Sequence, residues 1–405
     1  VRVRLDDLDR VFVLALIALM LTGLVVVYSA CQVEDGGSTA GLWVKQIAFA
    51  FAGLLLLAGA AAVPPVAWER FSWLLYGISL ALLGFVLVAG DSAGGATRWI
   101  QLGGLRFQPS ELAKLATVLL MARVLAGRRR PAGSLPALAL LTMVVLLPAA
   151  LVLRQPDLGT ALVFLVVAPP MLYWSGVSFP YLLLASTPVL SVICASSLPS
   201  WIVFSVFLLA LAYFSRALLL ERILYVALSV AAGIATPVLW GRLEPYQQQR
   251  IIAFLDPEKY SSGAGYQIIQ SKVAIGSGGL TGVGFLDGTQ KGLAFLPARH
   301  TDFVFSVVGE EFGFLGTVLV LALFTLLIVR GFRIAADSRD PFAGLTVVGI
   351  LSMLAFQVFV NIGVTVGLVP VTGLPLPIFS YGGTSLLATM AGLGIVLGVG
   401  LRRRT

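Results

Sequence analysis

Twelve apolar runs, at about 10–30, 43–63, 72–90, 110–127, 134–153, 158–176, 179–197, 200–218, 222–240, 303–330, 343–368 and 382–401, constrain this 405-residue chain more than anything else in it. Each is close to the roughly 20 residues that a helix needs to cross a hydrocarbon core about 30 Å thick. In lipid every backbone N–H and C=O must be matched inside the chain, which a helix does within one segment. Only 11% of the residues are charged, where a soluble domain carries about 25%, so most of the surface faces something other than water. The expectation is an all-α polytopic membrane protein, a single integral membrane domain over 1–405 with about twelve transmembrane helices. The first run follows Arg2, Arg4 and Arg10 and ends in YSAC, a shape reminiscent of a cleaved leader; Asp6, Asp7, Asp9 and the length of the run argue for a span. Cys31 and Cys194 are the only cysteines and point to neither a disulfide framework nor a thiolate metal site.

Short loops rich in Lys and Arg stay in the cytoplasm. Arg128 to Arg130, the group Arg330, Arg333 and Arg339, and Arg402 to Arg404 fall on one face together with Arg2, Arg4 and Arg10, which places both termini in the cytoplasm. The opposite face nevertheless carries Arg98, Arg106, Arg154, Arg242, Arg250, Lys259, Lys272, Lys291 and Arg299. A long translocated segment accounts for residues such as Lys259, because long loops escape the charge rule. Arg98, Arg106 and Arg154 sit in short loops beside helix ends, and a negatively charged ligand on the outer face would explain them.

Three outer segments stand out. The first outer loop, 90–110, is glycine-rich and runs into Pro109, Ser110 and Glu111, which read as a helix start. The large loop, 241–302, is too long to be a plain connection, and within it Ile268, Ile269, Val273, Ala274 and Ile275 recur at helical spacing, as in a helix lying in the bilayer interface. The last outer loop, 369–382, mixes prolines and glycines, and irregular backbone at membrane depth is tolerated only where protein or a watery cavity surrounds it.

Ionisable groups at the membrane boundary are costly and so are functional candidates. Asp302, beside the only histidine, His300, heads the tenth run; it could cap that helix, but Thr301 could do so equally well. Glu310 and Glu311 lie two turns deeper, where at least one must point into the bundle, as structural or supporting groups. Asp157 also heads a span, with Arg154 as its candidate partner, and Glu111 and Lys114 are spaced for a local salt bridge. One carboxylate with a cationic pocket suits transfer of a sugar from a lipid pyrophosphate: the leaving group needs charge stabilisation, from Arg, Lys or a divalent cation such as Mg or Mn, and the acceptor hydroxyl needs one base. A proton-coupled transporter would use the same acids to carry protons.

The stretches TRWIQLGGLRFQPSELAK, RQPDLGT, GAGYQIIQSKVAIGSGGLTGVGF, FLPARHTDFVFSVVGEEFGFLG and NIGVTVGLVPVTGLPLPIFSYGGTS together resemble the SEDS family of shape, elongation, division and sporulation proteins. GTQ at 288–290 and PVTGLPLP at 370–377 are more similar to the RodA branch than to the FtsW branch. The resemblance implies a glycosyltransferase that polymerises lipid II into peptidoglycan at the outer face of the bacterial cytoplasmic membrane, working with a class B penicillin-binding protein, among membrane lipids and with no nucleic-acid partner. It also implies that Asp302 is the catalytic base. Arg98, Glu111, Lys114, Arg154, Lys272, His300, Ser380 and Tyr381 are expected to meet the substrate. A flippase for the lipid-linked precursor is the alternative. The family pattern has ten spans, with a single one between the QPDLGT span and the large outer loop, whereas three runs stand there in this chain.

Overall fold

The computed structural model describes residues 8–32, 41–93, 96–102, 105–127, 135–215, 218–260, 263–289 and 298–402. In chain order the elements are α1 (Arg10–Cys31), α2 (Leu42–Ala62), α3 (Pro65–Ala89), β1 (Asp91–Ala93), β2 (Ala96–Leu102), β3 (Leu105–Phe107), α4 (Pro109–Ala126), α5 (Leu135–Arg154), α6 (Leu158–Trp174), α7 (Phe179–Cys194), α8 (Leu198–Phe214), α9 (Leu219–Gly241), α10 (Pro245–Leu255), α11 (Ala264–Ser277), α12 (Val304–Asp337), α13 (Pro341–Val366) and α14 (Gly383–Gly400). Each of the twelve apolar runs is helical. The third helix begins seven residues before the expected 72, because Pro65 at its first turn sets the backbone for a helix without wasting an N–H.

Among the described residues, α1, α2, α3, α9, α12, α13 and α14 are long and apolar enough to cross a membrane. Helices α6, α7 and α8 are shorter, at 17, 16 and 17 residues. The centre of the bundle is α13 with α14, whose windows are 78% and 72% buried. Small residues let backbones approach there: a Cβ at Gly394 would stand 2.4 Å from the Leu57 carbonyl, and one at Gly398 2.8 Å from that of Ala61. Since lipid gives helices no hydrophobic reason to associate, such close packing is what joins α14 to α2.

Contacts sort the ends into two faces. On one, Arg330 forks onto the Asp9 carboxylate at 2.6 and 3.1 Å, Arg402 donates to the carbonyls of Ala61 and Ala62, and Arg123 to that of Glu69. On the other, Arg299 donates to the Ala30 carbonyl at 2.8 Å, Gln46 to Ser380 at 3.1 Å, and Arg98 to Gln155. The start of α1 and the end of α14 therefore share a face. Arg2, Arg4, Arg128 to Arg130, Lys291, Gln290, Arg403 and Arg404 lie outside the described residues.

Opposite that face, the first outer loop is more ordered than its glycines suggest. It forms a three-stranded antiparallel meander, with Asp91 opposite Trp99 and Gln101 opposite Arg106, which holds Arg98 in the middle strand. The long helix α12 spans 34 residues but breaks at Gly313, where φ is +62°. Segment 278–284 repairs the break: Val283 and Gly284 donate to the carbonyls of Glu310 and Glu311 at 3.0 and 3.2 Å, and Phe314 and Leu315 donate to Gly279 and Leu280 at 2.9 and 3.1 Å. Backbone groups freed so near lipid need partners within the protein, and this segment supplies them.

Helices α7, α8 and α9 form a satellite with a small core of Leu184, Phe204, Leu208 and Ala212. Polar links bind it internally, Ser229 to Thr187 at 2.8 Å and Trp201 to Ser191 at 3.1 Å, and it meets the main bundle chiefly through α6. The three runs between the QPDLGT span and the large outer loop thus pack as a unit of their own beside the bundle.

Gly313 leaves no room for a side chain, since its Cβ would stand 2.3 Å from the Gly282 nitrogen. Gly313→Ala is expected to cost roughly 2 kcal/mol or more from the positive φ and the clash together, read as a lower melting temperature of the detergent-solubilised protein.

Candidate active site

His300 and Asp302 stand in a tight turn before α12, where the N–H groups of Thr301 and Asp302 both reach the Ala298 carbonyl at 3.1 Å. Phe303 precedes the first helical turn and no side chain caps it. The capping role weighed for Asp302 is therefore not the one it plays, and its carboxylate is left for other work. Asp157 differs: it caps α6, accepting from the Thr160 N–H at 3.1 Å and hydroxyl at 3.0 Å. The cation beside Asp157 is Arg98 at 3.6 Å, not Arg154, which is exposed at the end of α5.

Arg98 is held by four contacts. Besides Asp157 it donates to the carbonyls of Gln155 and Pro156 and to the Tyr246 hydroxyl at 3.2 Å. Tyr246 in turn donates to the Pro156 carbonyl. One turn along α10, Arg250 lies over the Tyr246 ring at 5.5 Å and donates to the Val371 carbonyl at 3.3 Å. Arg98, Pro156, Tyr246, Arg250, Val371 and Thr372 line a narrow cleft of about 30 Å³, room for little more than one water. Asp302 stands at its edge: a Cβ on Gly373 would sit 3.6 Å from Arg250 and 3.9 Å from the Asp302 carboxylate oxygen. Gly373, with φ +75°, leaves open the space between the Asp302 carboxylate and the Arg250 guanidinium.

The last outer loop forms the facing wall and is stitched to the Asp302 turn. The Asn361 amide donates to the carbonyls of Asp302 at 3.0 Å and Leu374 at 2.9 Å. The Ser380 hydroxyl donates to Thr301 at 2.6 Å and accepts from the Leu376 N–H. Tyr381 donates its N–H to the His300 carbonyl at 2.8 Å, and the two rings meet edge-on at 5.8 Å.

The remaining expected residues divide. Glu111 and Lys114 form a buried pair at 2.8 Å, each satisfied by the other. Lys272 lies over Gly367 at the end of α13, where a Cβ would be 2.6 Å from its ammonium nitrogen; a cation suits that partially negative helix end. Glu310 and Glu311 are buried and bind the loop before α12: Thr289 donates to Glu310 at 3.3 Å, and the Leu286 N–H and the Ser29 hydroxyl donate to Glu311 at 3.2 and 2.5 Å. Both side chains are thus committed to hydrogen bonds with neighbouring segments. Among the described residues no group of three or more His, Cys, Asp or Glu could cage a metal.

Sequence reasoning noted Arg250 as an outer cation but left it and Tyr246 out of the site. Their four-residue spacing, which puts both on one face of a helix, was the available signal. Burial pushes the Asp302 carboxyl pKa above its ordinary value, opposed first by Arg250, then by the Thr301 hydrogen bond and Arg98, while Asp157 adds to the rise. His300 is pushed down, by burial first and then by Arg299, so its imidazole favours the neutral form. Replacing Asn361 by the similarly shaped Leu strips two buried carbonyls of their donor; a loss of about 1–3 kcal/mol is expected, measured as an earlier thermal transition.

A family profile for the FtsW, RodA and SpoVE cell cycle proteins matches residues 9–198 and 178–405, the two segments overlapping at α7. The peptidoglycan glycosyltransferase MrdB of Escherichia coli K12 is 38% identical over 398 residues, covering 98% of this chain and 94% of MrdB. Among solved structures, a chain from a peptidoglycan synthase complex that coordinates polymerization and crosslinking superposes with a TM-score of 0.73 at 35% identity, covering 98% of this chain and 99% of its own. The rod shape determining protein RodA of Thermus thermophilus gives 0.66 at 32% identity, with 98% of each chain covered. With the whole length matched in sequence and in fold, the chain belongs to the SEDS family of FtsW, RodA and SpoVE cell cycle proteins.

Proposed function

We propose that this membrane protein is a peptidoglycan glycosyltransferase of the RodA branch, serving cell elongation and shape, with Asp302 as its base. The observation that carries the reading is the meeting of one acid with two arginines at one membrane boundary: Arg250 and Arg98 line a single cleft, and Asp302 lies across Gly373 from Arg250. The face carrying the chain ends is cytoplasmic by its arginines, and the cleft opens outside. Lipid II is the substrate class, since its sugars stand at the membrane surface while its pyrophosphate meets cations and its tail stays in lipid.

In this mechanism the Asp302 carboxylate takes the proton from the acceptor sugar's 4-hydroxyl. The freed oxygen forms a bond to the donor's anomeric carbon as the carbon–oxygen bond to pyrophosphate breaks, its electron pair leaving on the phosphate oxygen, with inversion. Arg250 and Arg98 stabilise that departing charge. His300, Ser380 and Tyr381 hold the turn and loop that aim the base. A divalent cation, expected from the sequence as an aid, would be held by pyrophosphate oxygens with Asp302 or Asp157, because ions such as Mg use one or two carboxylates plus substrate phosphates; it would neutralise charge on the leaving group. A class B penicillin-binding protein is the proposed partner, supported by the solved complex that joins polymerization to crosslinking. The 30 Å³ cleft admits no sugar until a wall moves. A flippase would need cations along the bundle's middle, whereas these gather at one boundary.

Asp302→Asn, purified with its partner, is expected to lower lipid II polymerisation by about 10²–10⁴-fold, the usual worth of a general base; near-normal polymerisation by the folded variant refutes the base role. Because the base works ionised and its pKa is raised, activity should fall as pH drops through a point above the ordinary carboxylate value. In Arg250→Gln, which removes the largest influence holding that pKa down, the acid limb of the pH–rate profile should move to higher pH.

A further inference from the structure

Tyr246 lines the cleft, but neither the base nor the stabilisation of the leaving group described above gives it a task. It stands in the first turn of α10, a start fixed by Pro245 at the first helical position and by the Glu244 N–H, which donates to the Gln247 side chain at 3.0 Å. Its two ends meet the two arginines separately. The hydroxyl accepts from Arg98 at 3.2 Å and donates to the Pro156 carbonyl. The ring face carries the Arg250 guanidinium at 5.5 Å, one turn along the same helix. Arg98 has other holds, on Asp157, Gln155 and Pro156. Arg250 has fewer: among the described residues its one hydrogen bond runs to the Val371 carbonyl at 3.3 Å.

We propose that Tyr246 is a positioning residue of the site, mounting Arg250 beside Asp302 through its ring while its hydroxyl fixes that ring to the Arg98 and Pro156 side of the cleft. A neutral aromatic mount suits a cation that must act on something else. A carboxylate would occupy two N–H groups of a guanidinium and offset its charge, as Asp157 does in part for Arg98. A ring face attracts the cation and leaves the N–H edge free. Arg250 thus keeps its field on the base and its donors for a departing phosphate oxygen. The groups that face Asp302 are Arg250 from α10, Arg98 from β2, Asp157 at the head of α6 and the adjacent Thr301 hydroxyl. Nearby, Arg299 is turned to Ala30, Lys272 to the end of α13 and His300 to the Tyr381 ring. Of the groups facing the base, Arg250 is the one held on an aromatic ring. The inference rests on the base role proposed for Asp302 and reaches that base only through Arg250.

The test is the pH–rate profile of lipid II polymerisation by the full chain, purified with its partner, across a cycle of Tyr246 and Arg250 variants. Tyr246→Leu removes the ring and should slow polymerisation between about twofold and thirtyfold, the range of a cation–π contact, with the acid limb displaced to higher pH as in Arg250→Gln. Tyr246→Phe keeps the ring and should leave the limb where wild type has it, at a rate within about tenfold of wild type for the lost hydroxyl. Tyr246→pentafluorophenylalanine has the shape of Phe without the attractive ring face; it should shift the limb as Leu does, and it serves if the Leu variant unfolds. In Arg250→Gln the added change Tyr246→Leu should move the limb no further, because the mount has nothing left to hold. A limb unmoved by loss of the ring face, or a shift of the same size with and without Arg250, overturns the proposal. So does a Tyr246→Phe profile displaced like that of Tyr246→Leu. Asp302→Asn, measured beside these, separates the two readings. Normal polymerisation there removes the base role and this inference with it, whereas an inactive Asp302→Asn beside an unmoved Tyr246→Leu limb removes this inference alone.

Discussion

At one membrane boundary of this protein the chain leaves helical geometry while still beside lipid, and each backbone group so freed must find a partner inside the molecule. That requirement shapes the site. The break at Gly313 is closed by segment 278–284, the turn holding Asp302 is tied to the last loop by Asn361, Ser380 and Tyr381, and Gln46 reaches from α2 to the same loop. The carboxylate is positioned by a web of backbone hydrogen bonds contributed from distant parts of the chain. A turn tied down from so many elements holds its carboxylate in one place, as the base role proposed for Asp302 would require.

Charge is arranged on that frame with a division of labour. Arg98 bonds Asp157, Gln155, Pro156 and Tyr246, so it first holds the cleft together and only then adds potential to it. Arg250 makes one hydrogen bond to Val371 and stacks on Tyr246, and its influence on Asp302 is the largest of any charged group. A partly buried acid beside a less committed arginine can remain a usable base while its neighbour turns to an anionic leaving group. Glu111 with Lys114 and the pair Glu310 and Glu311 satisfy themselves locally or against nearby loops, as acids inside a bundle must.

Much of this was legible in the residues. Asp302 and His300 stood out because ionisable groups at the head of an apolar run are expensive; the last outer loop stood out for its prolines and glycines, and Ser380 and Tyr381 within it through the family resemblance. Arg154 and Lys272 drew notice for the same excess of outer cations, yet the fold sends one to the surface and the other onto the end of α13. Arg250, hidden in a long loop where cations carry little information, takes the place assigned to them. The β-meander was missed because this glycine-rich stretch reads as plain loop, and strand pairing depends on partners that local sequence does not reveal.

By itself the sequence determined that the chain is a helical membrane protein, how its spans alternate and which boundary carries the costly acid, because burial of apolar surface and the price of charge in lipid act residue by residue. Only the tertiary structure decided which cation meets Asp302, that Asp157 belongs to Arg98, and that the three middle helices stand apart as a satellite with a core of their own. Those outcomes depend on distances between residues as much as 100 or more positions apart, and such distances are set by packing and by the pairing of backbone groups, not by any local pattern.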